Sequence, residues 1–558
     1  MPLPATIQTA VSPEAIHRAS RLFSGGALDA IHEILQNSRR AGATRIAVDM
    51  TQAEGCACLD IRDDGCGIDD PAALLTLGFS GWNVDIARRE DPAGMGLFSL
   101  AGLDVEIHSF SPAVQAGWKV RIPRQAWDSG AALVLEPCDL GWGTLIRIAI
   151  PEDWKLGIRS VIAQAACHYP LPVTMNGVLL HREDFLKDAI AVEEMQGCRI
   201  GVYKADPHGL DGCRVNFHGL QVKHGLPMVR EVGMTNRWSV RVDIVDAPQI
   251  CLVLPARKEF VRNDALAALH EAAEIAIYRT IATQPGHRLA FTDYERAREL
   301  GIALPEARAG LVCWRPETAD DAHGRSSPRD ERDSAMLLVP SLEADIAQAL
   351  ALAADSDTLR SFRMVEAEDN FQGYSWYDRL PGIDAISFRI VHDGIEHHYE
   401  ESRALPQGLT SGRVENIFLD LVIGGPNEAG AGSACPRIAI DALVCRNDGW
   451  SLDEAVILVQ HDSIIAPERL ARMIYAALFC ADDDSDCDSW ETQSRDFDRE
   501  ARVTATQILL GADAALLQAV RMAASDNLSW LIPDNRAVRL VLRRGAMSVD
   551  FLPDAEAA

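Results

Sequence analysis

Apolar residues recur at helical spacing through Leu28, Ile31, Ile34 and Leu35, and Ser12 offers a cap upstream. Residues 12–40 therefore read as mainly helix, interrupted at Gly25-Gly26 and stopping near Gly42. The pattern then changes period. RIAVDM and CACLDIRDD alternate apolar and polar residues across a short polar break, which predicts two adjacent strands. The chain turns at DGCGIDD, runs through a segment rich in Gly and small residues from Leu74 to about Leu103, and then shows three more alternating runs, VEIHSF, WKVRIP and TLIRIAI. This order predicts an α+β layer.

A second α/β stretch follows, with strands near RVNFHG and SVRVDIVD and an alanine-rich helix through Asp264–Ile281. Residues 316–334 hold almost no apolar side chain and read as a linker or a long exposed loop, with a domain boundary nearby. Beyond it, ISFRIV and IEHHYEE flank His-Asp-Gly as a hairpin, VIGGPNEAGAGSACP is a flexible break, and Glu500–Ala524 reads as helical.

A length of 558 residues exceeds one hydrophobic core and predicts about three or four domains. With 48% apolar and 24% charged residues the chain is of the soluble globular class. Its apolar runs fall short of the roughly 18 residues that a membrane span needs, and its start lacks a basic-then-apolar leader pattern, so the expected location is the cytoplasm without a membrane partner. The net charge of −28 disfavours non-specific attraction to phosphate backbones. Residues 1–300 contribute −7 and residues 301–558 contribute −21, so the distal half is the acidic one. The 13 cysteines include no C-x-x-C pair and read as reduced thiols.

Four pieces carry chemistry. Glu33 and Asn37 lie one turn apart on one helix face. Asp63-Asp64-Gly65-Cys66-Gly67 follows a strand, which sets an acid beside two glycines whose backbone can approach a flat ligand. Gly94-Met95-Gly96 precedes an apolar run beginning at Leu97, an arrangement whose backbone N–H groups can cradle phosphate oxygens. Gly143-Thr144 opens the strand TLIRIAI.

In this order and spacing the four pieces resemble the nucleotide site of the GHKL superfamily, whose members include gyrase B, HtpG-type chaperones, histidine kinases and MutL. Glu33-Ile-Leu-Gln-Asn37-Ser-Arg-Arg-Ala-Gly-Ala-Thr44 is similar to the MutL first-helix signature. Leu77-Gly-Phe-Ser-Gly81 leading into Gly94-Met-Gly-Leu-Phe-Ser-Leu-Ala101 resembles that family's lid and glycine segment. Arg214-Val-Asn-Phe-His-Gly-Leu, Ser239-Val-Arg-Val-Asp243 and Leu254-Pro-Ala-Arg-Lys-Glu-Phe-Val-Arg262 are similar to the MutL transducer domain.

The resemblance implies a Bergerat-type ATP-binding domain over 1–155 and a transducer-like domain over 156–300. A linker would follow over 301–335, then an acidic α/β region of unassigned role over 336–558. It implies ATP and Mg²⁺ as ligands, with Glu33 as general base, Asn37 as the Mg²⁺ ligand and Asp63 as acceptor for the adenine amino group. Gly65, Gly67 and Thr144 would line the adenine pocket, Thr144 through a water. Gly94, Met95, Gly96 and Leu97 would close over the triphosphate, and Arg257 or Lys258 would reach the γ-phosphate. One departure stands out: Arg40 occupies the place of the Asp in the MutL signature, as a solvated surface residue or as an extra contact at the pocket.

The expected activity is slow, Mg²⁺-dependent ATP hydrolysis that drives lid closure and homodimerisation on a protein client, in the manner of the chaperones. A MutL-like coordinator of DNA repair or genome defence is the alternative, and a non-hydrolysing nucleotide scaffold the third. The zinc-dependent endonuclease motif of many MutL proteins is missing from the second half. The histidines of the 392–401 hairpin alternate faces and read as solvated, not as a metal site, and Asp482–Asp488 reads as an acidic loop in place of a calcium loop.

Overall fold

The computed structural model describes residues 26–53, 55–76, 96–129, 132–205, 213–235, 237–253, 259–320, 329–330, 335–400, 408–425, 435–446, 452–482, 484, 487–534 and 536–552. The chain is α+β and divides into two compact units, Met1–Pro305 and Glu306–Ala558.

In the first unit, helix α1 (Ala27–Arg40) begins directly after Gly26. Ala30, Ile31, Ile34, Leu35 and Ser38 are its buried stripe, while Asp29 in the first turn and Arg39 and Arg40 in the last complement the helix dipole. Its end is a Schellman motif: Gly42 takes φ +72°, its N–H donates to Arg39 O at 3.0 Å, and Ala43 N–H donates to Ser38 O at 3.1 Å. This is the stop expected near Gly42.

Strands β1 (Ile46–Ala53) and β2 (Cys56–Asp63) then pair antiparallel from Ile46↔Asp63 to Ala53↔Cys56. They continue into β3 (Val105–Ser111), β4 (Ala116–Ile122), β5 (Leu135–Cys138), β6 (Thr144–Ala149), helix α2 (Ile158–Cys167), β7 (Val173–Met175) and β8 (Val178–Leu179). The eight strands form one sheet in the order β5-β4-β3-β6-β2-β1-β7-β8. Strand β3 alternates strictly between buried and half-buried positions, so one sheet face is dry. Ile31 and Leu35 of α1 and Ile158 and Ile162 of α2 share a buried cluster with Leu59, Ile61, Ile107 and Ile148 of the sheet. Each such side chain contributes about 1.5–3 kcal/mol when fully buried.

A second sheet comprises β9 (Ala191–Met195), β10 (Cys198–Ala205), β11 (Cys213–Phe217), β12 (Leu220–Lys223), β13 (Met228–Arg230) and β14 (Arg237–Ile244), in the order β12-β11-β14-β10-β9 with β13 on β14. Helix α3 (Asp264–Ala282), capped by Asn263 accepting from Leu266 N–H at 2.9 Å, packs Leu269, Ala273, Ala276 and Ile277 against Ile200, Val202, Val240 and Val242. Helix α4 (Phe291–Glu299) follows.

The second unit is built on a mixed sheet around the strands Gly382–His392 and Asn416–Gly424, with helices Ala344–Ala353, Pro467–Leu478 and Trp490–Leu510 in its core. The expected hairpin is present: His392 pairs with Ile395 across Asp393 (φ 50°) and Gly394 (φ 72°), the left-handed pair that a two-residue turn demands. The stretch Glu500–Ala524 is helical as expected and falls into two helices, Trp490–Leu510 and Ala512–Leu528, divided at Gly511 with φ 90°. The breaks read at 316–334 and 422–436 fall largely outside the described residues. Among the described residues, no helix is long and apolar enough to cross a membrane.

Candidate functional site

The end of α1, the end of β2 and the start of β6 meet in one place. Asp63 and Thr144 are Cα partners in the β2–β6 ladder. Ser38, one residue past Asn37, donates its hydroxyl to Asp63 Oδ2 at 3.1 Å, and Gly65 N–H donates to Oδ1 at 2.9 Å. Burial pushes the Asp63 carboxyl above its ordinary value, and the donors from Gly65, Ser38 and the Thr144 backbone offset only part of that. Thr144 is buried, with its Oγ1 2.9 Å from Ser109 Oγ.

The glycines beside Asp63 are required by close backbone approach. A Cβ on Gly65 would lie 2.7 Å from Ala41 Cβ, at the cap of α1. One on Gly67 (φ +79°) would lie 2.1 Å from Phe110 O, and one on Gly143 (φ +72°) would lie 2.1 Å from Asp63 O. Cys66 N–H donates to Ala41 O at 2.9 Å, and Ile68 N–H to Phe110 O at 2.9 Å, so the turn is stitched to the helix on one side and to β3 on the other. The neighbouring Asp64 does a different job. Its carboxylate accepts from Thr44 N–H at 2.7 Å, Thr44 Oγ1 at 2.6 Å and Arg45 N–H at 3.1 Å, tying the loop after α1 to the end of β2. Desolvation works against that charge, but these donors hold its carboxyl below the usual range.

Glu33 and Asn37 stand one turn apart on α1, as the spacing predicts, and Arg40 joins them. Arg40 Nη1 donates to Asn37 Oδ1 at 3.2 Å and lies 4.0 Å from Glu33 Oε1. The Arg40 side chain is 6% exposed and that of Glu33 10%, so Arg40 is a contact at the site and not a solvated surface residue. The oxygen that the resemblance assigns to Mg²⁺ thus already accepts from a permanent cation, which does not suit a second cation beside it. Among the described residues, no three His, Cys, Asp or Glu side chains cluster to hold a metal ion.

Gly96 and Leu97 open a short 3-10 turn (Gly96–Leu100), and Leu97 packs on the core that α1 also enters. Gly94 and Met95, the stretch 77–93 before them, and both Arg257 and Lys258 lie outside the described residues. Sequence reading missed Ser38 and Ser109, whose contacts with Asp63 and Thr144 join positions 25 and 35 residues apart. Ser38 carried one signal, its place directly after Asn37 on the buried stripe.

No protein-family model matches the sequence. Part of the chain is 32% identical over 138 residues to the DNA mismatch repair protein MutL of Sphingopyxis alaskensis. The similarity is local. It covers 21% of this chain and 20% of that protein, so the chain spans about a fifth of the relative's length.

Proposed function

We propose that the first layer of the N-terminal unit is an adenine-nucleotide-binding module of the GHKL kind. The observation that carries this reading is Asp63, a half-buried carboxylate at a strand end, held by donors from Gly65 and Ser38 beside glycines that let the surrounding main chain close around it. A carboxylate is acceptor-only when ionised. It rewards a base with an exocyclic amino donor and rejects one presenting a carbonyl there, which selects adenine over guanine. The local similarity to a MutL supports the same reading.

In this reading, the segment Gly94, Met95, Gly96 and Leu97 closes over the triphosphate, and Arg257 or Lys258 reaches its distal end. Glu33 is the carboxylate placed to take a proton from water as the water oxygen bonds to the γ-phosphorus. The bond from that phosphorus to the β–γ bridging oxygen breaks, and ADP and phosphate leave. Arg40 Nη1 lies 4.0 Å from Glu33 Oε1, so the carboxylate that would meet the water also faces a guanidinium. Nucleotide occupancy then acts as a switch between open and closed, homodimeric states. The name of the matched relative favours a role in a DNA transaction over action on a protein client.

The test is binding of ATP and GTP to the intact protein and to Asp63→Asn, with turnover and sedimentation measured on the wild type and Glu33→Ala. Selective ATP binding that disappears in Asp63→Asn supports the site. Equal affinity for GTP, or ATP binding untouched by Asp63→Asn, overturns it. Turnover that survives Glu33→Ala removes Glu33 as the base.

A further inference from the structure

Resting on the nucleotide-binding reading above, we infer that the guanidinium of Arg40 takes the place of the divalent cation at Asn37, so that nucleotide binding at this site does not require Mg²⁺. The inference starts from position. Arg40 lies on the last turn of α1, between Glu33 and Asn37, with Nη1 3.2 Å from Asn37 Oδ1 and 4.0 Å from Glu33 Oε1. The negative end of the helix dipole favours a cation there.

Burial makes the arrangement persistent. Side chains only 6% and 10% exposed hold their pairing without competition from water, unlike a surface ion pair. Arginine is not deprotonated in proteins, so the charge is permanent. Mg²⁺ demands a near-octahedral shell of oxygens at about 2.0–2.1 Å, which would require Asn37 to exchange its guanidinium partner for the metal. The incoming divalent ion would then sit beside a positive charge of like sign. The chemistry of the donor set therefore favours a free triphosphate over its magnesium complex.

Arg40 is on this reading a binding and positioning residue, and the test reads affinity and metal dependence, not turnover. ATP is titrated by calorimetry into the intact wild type in excess EDTA and again in excess Mg²⁺. The same pair of titrations is run on Arg40→Asp and Asp63→Asn. The expected result is wild-type affinity that agrees between the two conditions to within about threefold, the scatter of a contact worth less than one charge-assisted hydrogen bond. Arg40→Asp should lose about tenfold or more of its affinity in EDTA and recover it in Mg²⁺.

A wild type that binds ATP in Mg²⁺ but at least about tenfold more weakly in EDTA overturns the inference while leaving the nucleotide site standing. A wild type that binds ATP in neither condition, or binds it unchanged in Asp63→Asn, removes the nucleotide reading itself and the inference with it. The wild-type comparison decides the matter even where Arg40→Asp fails to fold.

Discussion

Gln36 Nε2 donates to His218 O at 3.0 Å and reaches Phe217 O at 3.3 Å, across 182 residues of sequence, and so ties the site helix to the turn between β11 and β12 of the second sheet. Tyr169 reinforces the joint, since its hydroxyl donates to Leu35 O at 2.6 Å while its ring lies against Gly219. The helix that carries Glu33, Asn37 and Arg40 is therefore braced by the second layer. Replacing Gln36 with Ala is expected to cost about 1–3 kcal/mol, because the buried amide donor that meets both carbonyls is lost. Urea unfolding of the first unit within the intact chain checks it, and an unchanged midpoint would mean that the joint is idle.

On the proposed reading, Asp63 sets the pH response of nucleotide binding. Burial raises its carboxyl above the ordinary value, so on acidification it takes up a proton earlier than a surface aspartate does. The protonated acid no longer offers a full acceptor to an amino group. ATP affinity should therefore fall as pH drops through this raised value and be complete above it. Affinity that holds constant until well below the usual aspartate range would exclude Asp63 as the base-reading group.

His32 contributes with its own sign. It lies buried on α1, and burial, opposed weakly by Asp29, pushes its pKa down to about 4 from 6.5. The unfolded chain binds the proton more readily, so the neutral folded form is fully favoured above pH 6.5, and stability is lost as pH falls toward 4. The loss attributable to this residue is about 3 kcal/mol. The difference in unfolding free energy between wild type and His32→Gln, followed across that window, should show the slope. A flat difference would refute the assignment.

Glu231 anchors the second layer. Its carboxylate accepts from Lys204 Nζ at 2.8 Å, Trp238 Nε1 at 2.8 Å and Arg288 N–H at 2.9 Å. Desolvation opposes the charge, but these donors outweigh it and lower the carboxyl below its model-peptide value. The group is stabilising above the unfolded value, and that stability disappears as pH falls through the lowered folded one. Glu231→Ala should destabilise by about 3–5 kcal/mol at neutral pH, since it leaves Lys204 and the buried donors without their partner. Thermal melting of the intact chain measures it, and a shift within error would contradict the anchor.

Legibility in the sequence followed the range of the interactions. Helix α1, its stop at Gly42 and the strands β1, β2, β3, β4 and β6 show in local periodicity, because each buries one face against the same core. Strand β5 does not, since LEPC is an exposed edge strand with no alternation, and its Pro137 is tolerated only there. The break at Gly511 was hidden by helix formers on both sides. At the site, the residue types and their order were readable, whereas the directions of side chains were not. The identity of Arg40 is plain in the chain, but its turn inward onto Asn37 and Glu33 depends on packing that no local pattern encodes.

The floor beneath Asp63 is main chain pressed on main chain, at Gly67 against Phe110 and at Gly143 against Asp63 itself. A surface made of peptide groups has no side chains to exchange. Among the described residues, change at this site therefore falls on the side chains around that floor, those of α1 included, and a reversal of charge such as that at Arg40 is the kind of change such a wall records.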